Sequence, residues 1–312
     1  MKNILLLLIA AAVSGCGPSR KKTAEIPGID RQTFLYAVKE GKELYLDRLV
    51  DSSAVIQGRR PVFIYSFSGA WEAGQRSETY PAPFLEFIAR KGYVVAAIDY
   101  RLWIKEARQN NSLSEKSIAG DYMKALDMAV EDLFSATSYI VQQQDSWNID
   151  PLKIVAGGFG SGAVNSLKAE YLISTGENLS MKFLPDDFNY AGVISMAGAL
   201  WLPEGKYNMQ WLKKPCPHMF VHGSADPVIP FNESQAGGFR AYGPGFLLEL
   251  FSKNGFPAWF YEIQQGNHYS ASPAQKEYFQ EINWFLERFV SERQNKVLHT
   301  IEKTAVPNKI RQ

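Results

Sequence analysis

Six short apolar runs punctuate the chain, at 61–67, 93–98, 153–156, 191–196, 218–221 and 259–263. Runs of this length without polar alternation fit strands buried on both faces. Two further short strands are expected at 44–50 and 54–57. Between the runs the period changes. Ile118, Tyr122, Leu126, Ala129, Leu133, Ala136 and Ile140 recur every three or four residues, which makes one apolar stripe on a long helix. Residues 164–173 are also helix-compatible. Tyr278, Ile282, Phe285 and Phe289, widened by Phe279, Leu286 and Val290, form a second stripe. Buried strands alternating with amphipathic helices predict an α/β protein with a mostly parallel central sheet and helices on both faces. In such sheets sites lie beyond the carboxyl ends of the strands, so the loops after each run are where chemistry is expected.

The start of the chain breaks this pattern. Lys2 precedes an apolar stretch at 4–13, too short to span a bilayer. Val13-Ser14-Gly15-Cys16 follows. This resembles a bacterial lipobox, in which the signal is cut before a cysteine that then takes lipid. The other reading is an ordinary secretory signal cut near Gly15 or Gly17. The expected organisation is a signal at 1–15, a tether and N-terminal segment at 16–40, a domain at 41–295 with a small cap insertion at about 175–215, and a tail at 296–312. Lipid on Cys16 would hold the protein at the cell envelope, on the outer-membrane or periplasmic face or at the cell surface, with no spanning helix needed.

Composition narrows the function. The 312 residues carry 33 Lys+Arg against 32 Asp+Glu, and 46% are hydrophobic, which excludes a disordered chain and leaves no basic footprint for nucleic acid. Two cysteines exclude a multi-cysteine metal site, and with Cys16 acylated Cys216 has no partner for an intrachain disulfide.

The strand ends carry the candidate chemistry. The first long run ends in Phe67-Ser68-Gly69-Ala70-Trp71 and the third in Gly157-Gly158-Phe159-Gly160-Ser161-Gly162-Ala163. The fifth ends in His222-Gly223-Ser224-Ala225-Asp226-Pro227-Val228-Ile229-Pro230, and the last in Gly266-Asn267-His268-Tyr269-Ser270. In this order they resemble the α/β-hydrolase superfamily, in its esterase/lipase and dipeptidyl-peptidase-like branches. The resemblance covers roughly 61–290. It implies an α/β-hydrolase fold and a triad running nucleophile, acid, histidine along the chain, with Asp226 and His268 in the last two places and no cofactor or metal. It further implies an oxyanion hole from backbone N–H groups of Ser68, Gly69 and Ser161 or Gly162.

The nucleophile position departs from the family. The frame that suits the strand–helix junction is Gly158-Phe159-Gly160-Ser161-Gly162, whose centre is Gly160. Slipping the register would centre Ser161 but would put Phe159 where a tiny side chain is needed. A bulky residue at the positive φ of such a turn costs about 1–2 kcal/mol, whereas glycine adopts it freely. The oxyanion loop also departs, with Phe67 where the family often has histidine. Asp226 has a plainer reading as a turn cap before Pro227, and His268 as a surface-loop histidine. His218 and His222 fall on a strand and its end, which argues against a metal pair. Trp71 is core or cleft lining. Trp201, Tyr207 and Trp211 are a ligand wall or the core of the cap.

Two functions stay open at this point. One is a lipid-tethered carboxylic-ester hydrolase with Ser161 as a displaced nucleophile. The other is a pseudo-hydrolase that holds a small ligand or a partner's peptide without turnover. A hydroxyl from Ser68 is a third source, suggested by proximity alone.

Overall fold

The computed structural model describes residues 28–114, 118–177, 182–205 and 209–303. The elements run β1 (Ile29–Lys39), β2 (Lys42–Asp51), β3 (Arg60–Ser66), α1 (Ala82–Arg90), β4 (Val94–Ile98), α2 (Trp103–Gln109), α3 (Ile118–Gln142), β5 (Ile149–Phe159) and α4 (Ser161–Thr175). They continue with β6 (Gly192–Met196), β7 (Leu200–Pro203), β8 (His218–Gly223), β9 (Glu233–Ala236), β10 (Phe239–Tyr242), α5 (Pro244–Asn254), β11 (Ala258–Gln264), α6 (Phe279–Phe285) and β12 (Val297–Lys303).

Among the described residues nine strands form one sheet in the order β1-β2-β4-β3-β5-β6-β8-β11-β12. From β4 to β12 every neighbouring pair is parallel, while β1 and β2 are antiparallel to each other and β2 to β4. The apolar runs are the centre of this sheet. Every residue of β4, β6 and β8 is buried, which is why these runs show no alternation. α4 packs on β3, β5, β6 and β7, α1 on β2 and β4, and α5 on β11 and β12. The α3 stripe is buried from Leu126 to Ile140, but Ile118 opens the helix and is exposed. The C-terminal stripe forms α6 and then a wide π turn, Leu286–Ser291.

Three expectations are corrected. Residues 54–57 form bends and irregular backbone rather than a strand. The segments set outside the domain, 16–40 and 296–312, contribute the two edge strands β1 and β12. Both mix partly buried with exposed positions and apolar with polar residues, as edge strands do, so neither reads as an apolar run. The insertion placed at 175–215 is interrupted by β6, a central strand. The cap is instead a separate antiparallel sheet, β7-β10-β9, built from two distant pieces of chain. Trp201 of β7 stacks on Phe239 of β10 and meets Trp71 edge-on, so it joins the cap to the loop after β3. Trp211 lies against Tyr171, Phe251 and Phe256 instead. Tyr207, Cys16 and the 1–15 segment lie outside the described residues.

Candidate active site

Two loops converge beyond the carboxyl ends of β8 and β11. The β8 loop is tied to the β11 end by backbone bonds, Ser224 N–H to the Ile263 carbonyl and Ala225 N–H to the Gly266 carbonyl. Asp226 leaves this loop with its side chain fully buried. One of its oxygens accepts the N–H groups of Val228 and Ile229 at 2.7 and 3.0 Å. The other, Oδ2, stands 2.8 Å from His268 Nδ1. After β11, Asn267 caps one 3-10 turn, His268–Ala271, accepting the N–H groups of Tyr269 and Ser270 while its own N–H donates to Ser270 Oγ. That reciprocal cap holds the imidazole in place.

The charge state of the couple follows. Burial pushes the Asp226 carboxyl up. The bonds from His268 and from the Ile229 and Val228 amides outweigh it, and the pKa falls below the usual carboxylate value. An ionised Asp226 can only accept, so Nδ1 of His268 carries the proton and donates it. In the neutral ring Nε2 then presents a lone pair. A second imidazole backs the acid: His222 Nε2 lies 3.5 Å from Asp226 Oδ2 and 3.2 Å from the Ile229 carbonyl. Burial lowers its pKa to about 4, so it stays neutral there.

The β5–α4 turn delivers position 160 to this couple. Gly160 sits at φ +54° and ψ −122°, a conformation an L side chain holds only under strain. A Cβ on residue 160 would stand 3.3 Å from His268 Nε2. The turn thus brings a bare α-carbon up to the free nitrogen of the imidazole. Gly162, one residue into α4, has no room for a Cβ because the β3 backbone at Ser66 lies against it.

Ser161 is oriented differently. Its hydroxyl accepts the Ala70 N–H at 3.0 Å and neighbours Tyr100 Oη at 3.4 Å. Tyr100 in turn donates to the Phe67 carbonyl at 2.9 Å and stacks on the Phe67 ring. The Ser161 hydroxyl, expected as a displaced nucleophile, is thus bonded to the loop after β3. Phe67 is thus anchored through Tyr100.

The oxyanion expectation is altered in the same loop. The Ser68 N–H donates to Tyr80 Oη at 3.3 Å, and the Ala70 N–H is taken by Ser161. The Ser161 and Gly162 amides open α4, where no intrahelical acceptor exists. Gly69, Ala70 and Trp71 all have positive φ, at +140°, +53° and +58°. Two successive non-glycine residues there store strain that the surroundings must hold. Trp71 does part of this: its indole N–H donates to Asn165 Oδ1 at 2.9 Å, and it is buried rather than lining a cleft.

The side chain of Ser68 is the feature that the sequence left least legible. It is half-buried, and its hydroxyl occupies the space that a Cβ on residue 160 would enter, closer than real Cβ atoms approach anything. Its signal was the serine in Phe67-Ser68-Gly69-Ala70-Trp71, at a place where the resembled family often has glycine. Aromatic rings cluster here: Phe159 lies 4.9 Å from the His268 ring and 6.3 Å from that of exposed Tyr269.

No protein-family model and no curated protein matches the chain. Solved structures do. An esterase 2 from Thermogutta terrifontis phosphonylated by cyclosarin superposes with a TM-score of 0.59 at 19% identity, over 85% of this chain and 96% of that one. The same esterase in its native form gives 0.58 at 19% identity, over 86% and 93%. Its propionate-bound form gives 0.58 at 18% identity, over 85% and 96%. Together with the sheet order, these likenesses establish an α/β-hydrolase fold.

Proposed function

We propose that the protein is an ester-directed hydrolase of the serine-carboxylesterase type whose position 160 no longer supplies the nucleophile. His268 serves as the general base and acid, and Asp226 orients it and stabilises its charged form. The observation that carries this reading is the buried couple: His268 Nδ1 bonded to Asp226 at 2.8 Å, with Nε2 turned to where a side chain on residue 160 would stand. A merely structural histidine does not need its free nitrogen aimed at the apex of a strained strand–helix turn. The substrate class is a small carboxylic ester, received between the α4 N-terminus and the Phe159–Tyr269 wall. The phosphonylated and propionate-bound forms of the Thermogutta esterase support a choice of acyl compounds as probes. The lipobox-like Cys16 supports a lipid-anchored protein of the cell envelope.

The bare α-carbon at Gly160 favours one second reading, a cleft that binds a small ligand or a partner's peptide without turnover. Hydrolysis of short-chain p-nitrophenyl esters separates the two. The proposal expects turnover that His268→Ala abolishes and Asp226→Asn lowers by orders of magnitude. Equal rates in the parent and in His268→Ala would leave only the binding role.

A further inference from the structure

The geometry points to Ser68 as the nucleophile of this site, its hydroxyl brought to the imidazole from the loop after β3 instead of from the β5–α4 turn. This rests on the ester-hydrolase reading above and names the group which that reading leaves open.

Three observations converge. The space at the apex of the turn is shared by two positions, and one of them has given it up. A side chain on Gly160 would have its Cβ in collision with the Ser68 hydroxyl, and that same point is 3.3 Å from His268 Nε2. The Ser68 hydroxyl therefore lies against the volume that the family's serine side chain would fill, the same volume that faces His268 Nε2. The other serine nearby is removed from contention by its bonds, because the Ser161 hydroxyl is held by Ala70 N–H and Tyr100. The Ser68 backbone is held by the bond from its N–H to Tyr80 Oη, while its side chain is half-buried and open to a ligand. Catalytic hydrogen bonds are often long in a free enzyme and close only with substrate, so a hydroxyl in the right volume is the relevant criterion.

The chemistry balances with water as the only co-reactant. His268 Nε2 takes the Ser68 proton as Oγ bonds to the ester carbonyl carbon, and the carbonyl electron pair moves to oxygen. The Ser161 and Gly162 amides at the start of α4 face that oxygen. The carbon–alkoxy bond then breaks, and the alcohol leaves with the proton from Nε2. Water, deprotonated by the same nitrogen, attacks the acyl-Ser68 carbon. The Oγ–carbon bond breaks, the acid departs, and Ser68 recovers its proton.

The test uses the full chain. A fluorophosphonate is added, and the adduct is located by peptide fragmentation after trypsin. Ser68 falls in the 60–76 peptide and Ser161 in the 154–168 peptide, so the two are separable. The expected result is one adduct per chain on Ser68, absent in His268→Ala. Ester turnover in Ser68→Ala falls to the His268→Ala level. Ser68→Cys regains measurable acylation that iodoacetamide blocks, a readout that a space-filling role would not produce. An adduct on Ser161, or undiminished turnover in a folded Ser68→Ala, overturns the assignment to Ser68 while leaving the hydrolase reading intact. Absence of both adduct and turnover in the parent overturns both.

Discussion

The hydroxyl of Ser68 and the missing side chain of Gly160 compete for one volume beside the His268 imidazole. The resemblance implies a serine at the turn and a glycine in the facing loop, and on that reading the two are exchanged here. The exchange relieves strain at the turn, since φ +54° is free for glycine and costly for serine. It also transfers the hydroxyl to a loop that is itself strained at Ala70 and Trp71.

This competition predicts thermodynamic coupling. Gly160→Ala costs about 1–2 kcal/mol in backbone strain alone, and its Cβ also collides with the Ser68 hydroxyl. Ser68→Gly removes the collision but not the strain. The double variant is therefore more stable than the sum of the single losses by roughly 0.5 kcal/mol or more, as expected of contacting residues. Urea unfolding of the four proteins measures it, and strict additivity would contradict the shared volume. The same logic governs restoration of an ordinary elbow: Ser68→Gly/Gly160→Ser should hydrolyse p-nitrophenyl esters faster than Gly160→Ser alone.

The strained loop depends on a support several residues away. Trp71 donates its indole N–H to Asn165 on α4 and packs against Trp201 of the cap. Asn165→Ala leaves that buried donor unpaired, at a cost of about 1–3 kcal/mol. The loop that carries Ser68 should loosen with it. Amide hydrogen exchange is expected to speed up at 68–73 while the central strands β4 and β6 keep their protection. Unchanged exchange in the loop would show that other contacts hold it.

The legible parts were those where one physical cause dominates. Strands buried on both faces, such as β4 and β6, have to be apolar throughout, so their runs were visible. The spacing of Asp226 and His268 was visible because each follows a buried strand. β1 and β12 were not, because edge strands are half-polar by necessity. The cap sheet was not, because β7 and β10 meet only in three dimensions. Ser161 and Ser68 could not be told apart as donors of a hydroxyl, because side-chain direction depends on the turn geometry at 158–162 and on Tyr100. Residues 99–101 follow a buried run, yet nothing in their order reveals that the backbone N–H and guanidinium of Arg101 both reach Asp132.

That ion pair makes its own prediction. Asp132 is fully buried on α3, with Arg101 at 2.8 Å and Lys39 at 3.4 Å. Arg101→Met removes the closer partner and leaves a carboxylate with little solvent. The expected loss is about 3–5 kcal/mol, read as a lower urea midpoint. Adding Asp132→Leu should recover part of it, because the unpaired carboxylate goes while the Arg101 N–H loses its acceptor. A double variant as unstable as the single one would mean that the pair fixes local structure and does more than neutralise itself.

Glu170 sets a pH dependence that lies away from the site. It is buried on α4, accepts the Cys216 N–H at 3.1 Å, and has its second oxygen 3.6 Å from His218 Nε2. Burial raises its pKa to about 8 and lowers that of His218 to about 4, so both are neutral near pH 7. His218 Nδ1 donates to the Cys216 carbonyl, which turns the Nε2 lone pair toward the protonated carboxyl 3.6 Å away. The folded state therefore holds a proton that the unfolded chain releases near pH 4.3. With the folded pKa above the unfolded one, stability falls as pH rises from that value to about 8, and levels off above it. Below about pH 6.5 His218 opposes this slope, because its depressed folded pKa makes stability fall as pH drops. The clean window is thus pH 6.5 to 8. Glu170→Gln keeps the acceptor for Cys216 and a donor for His218 without an ionisation. It should flatten the thermal midpoint across that window and raise it at pH 8, while a midpoint that declines as steeply in the variant would assign the titration to another group.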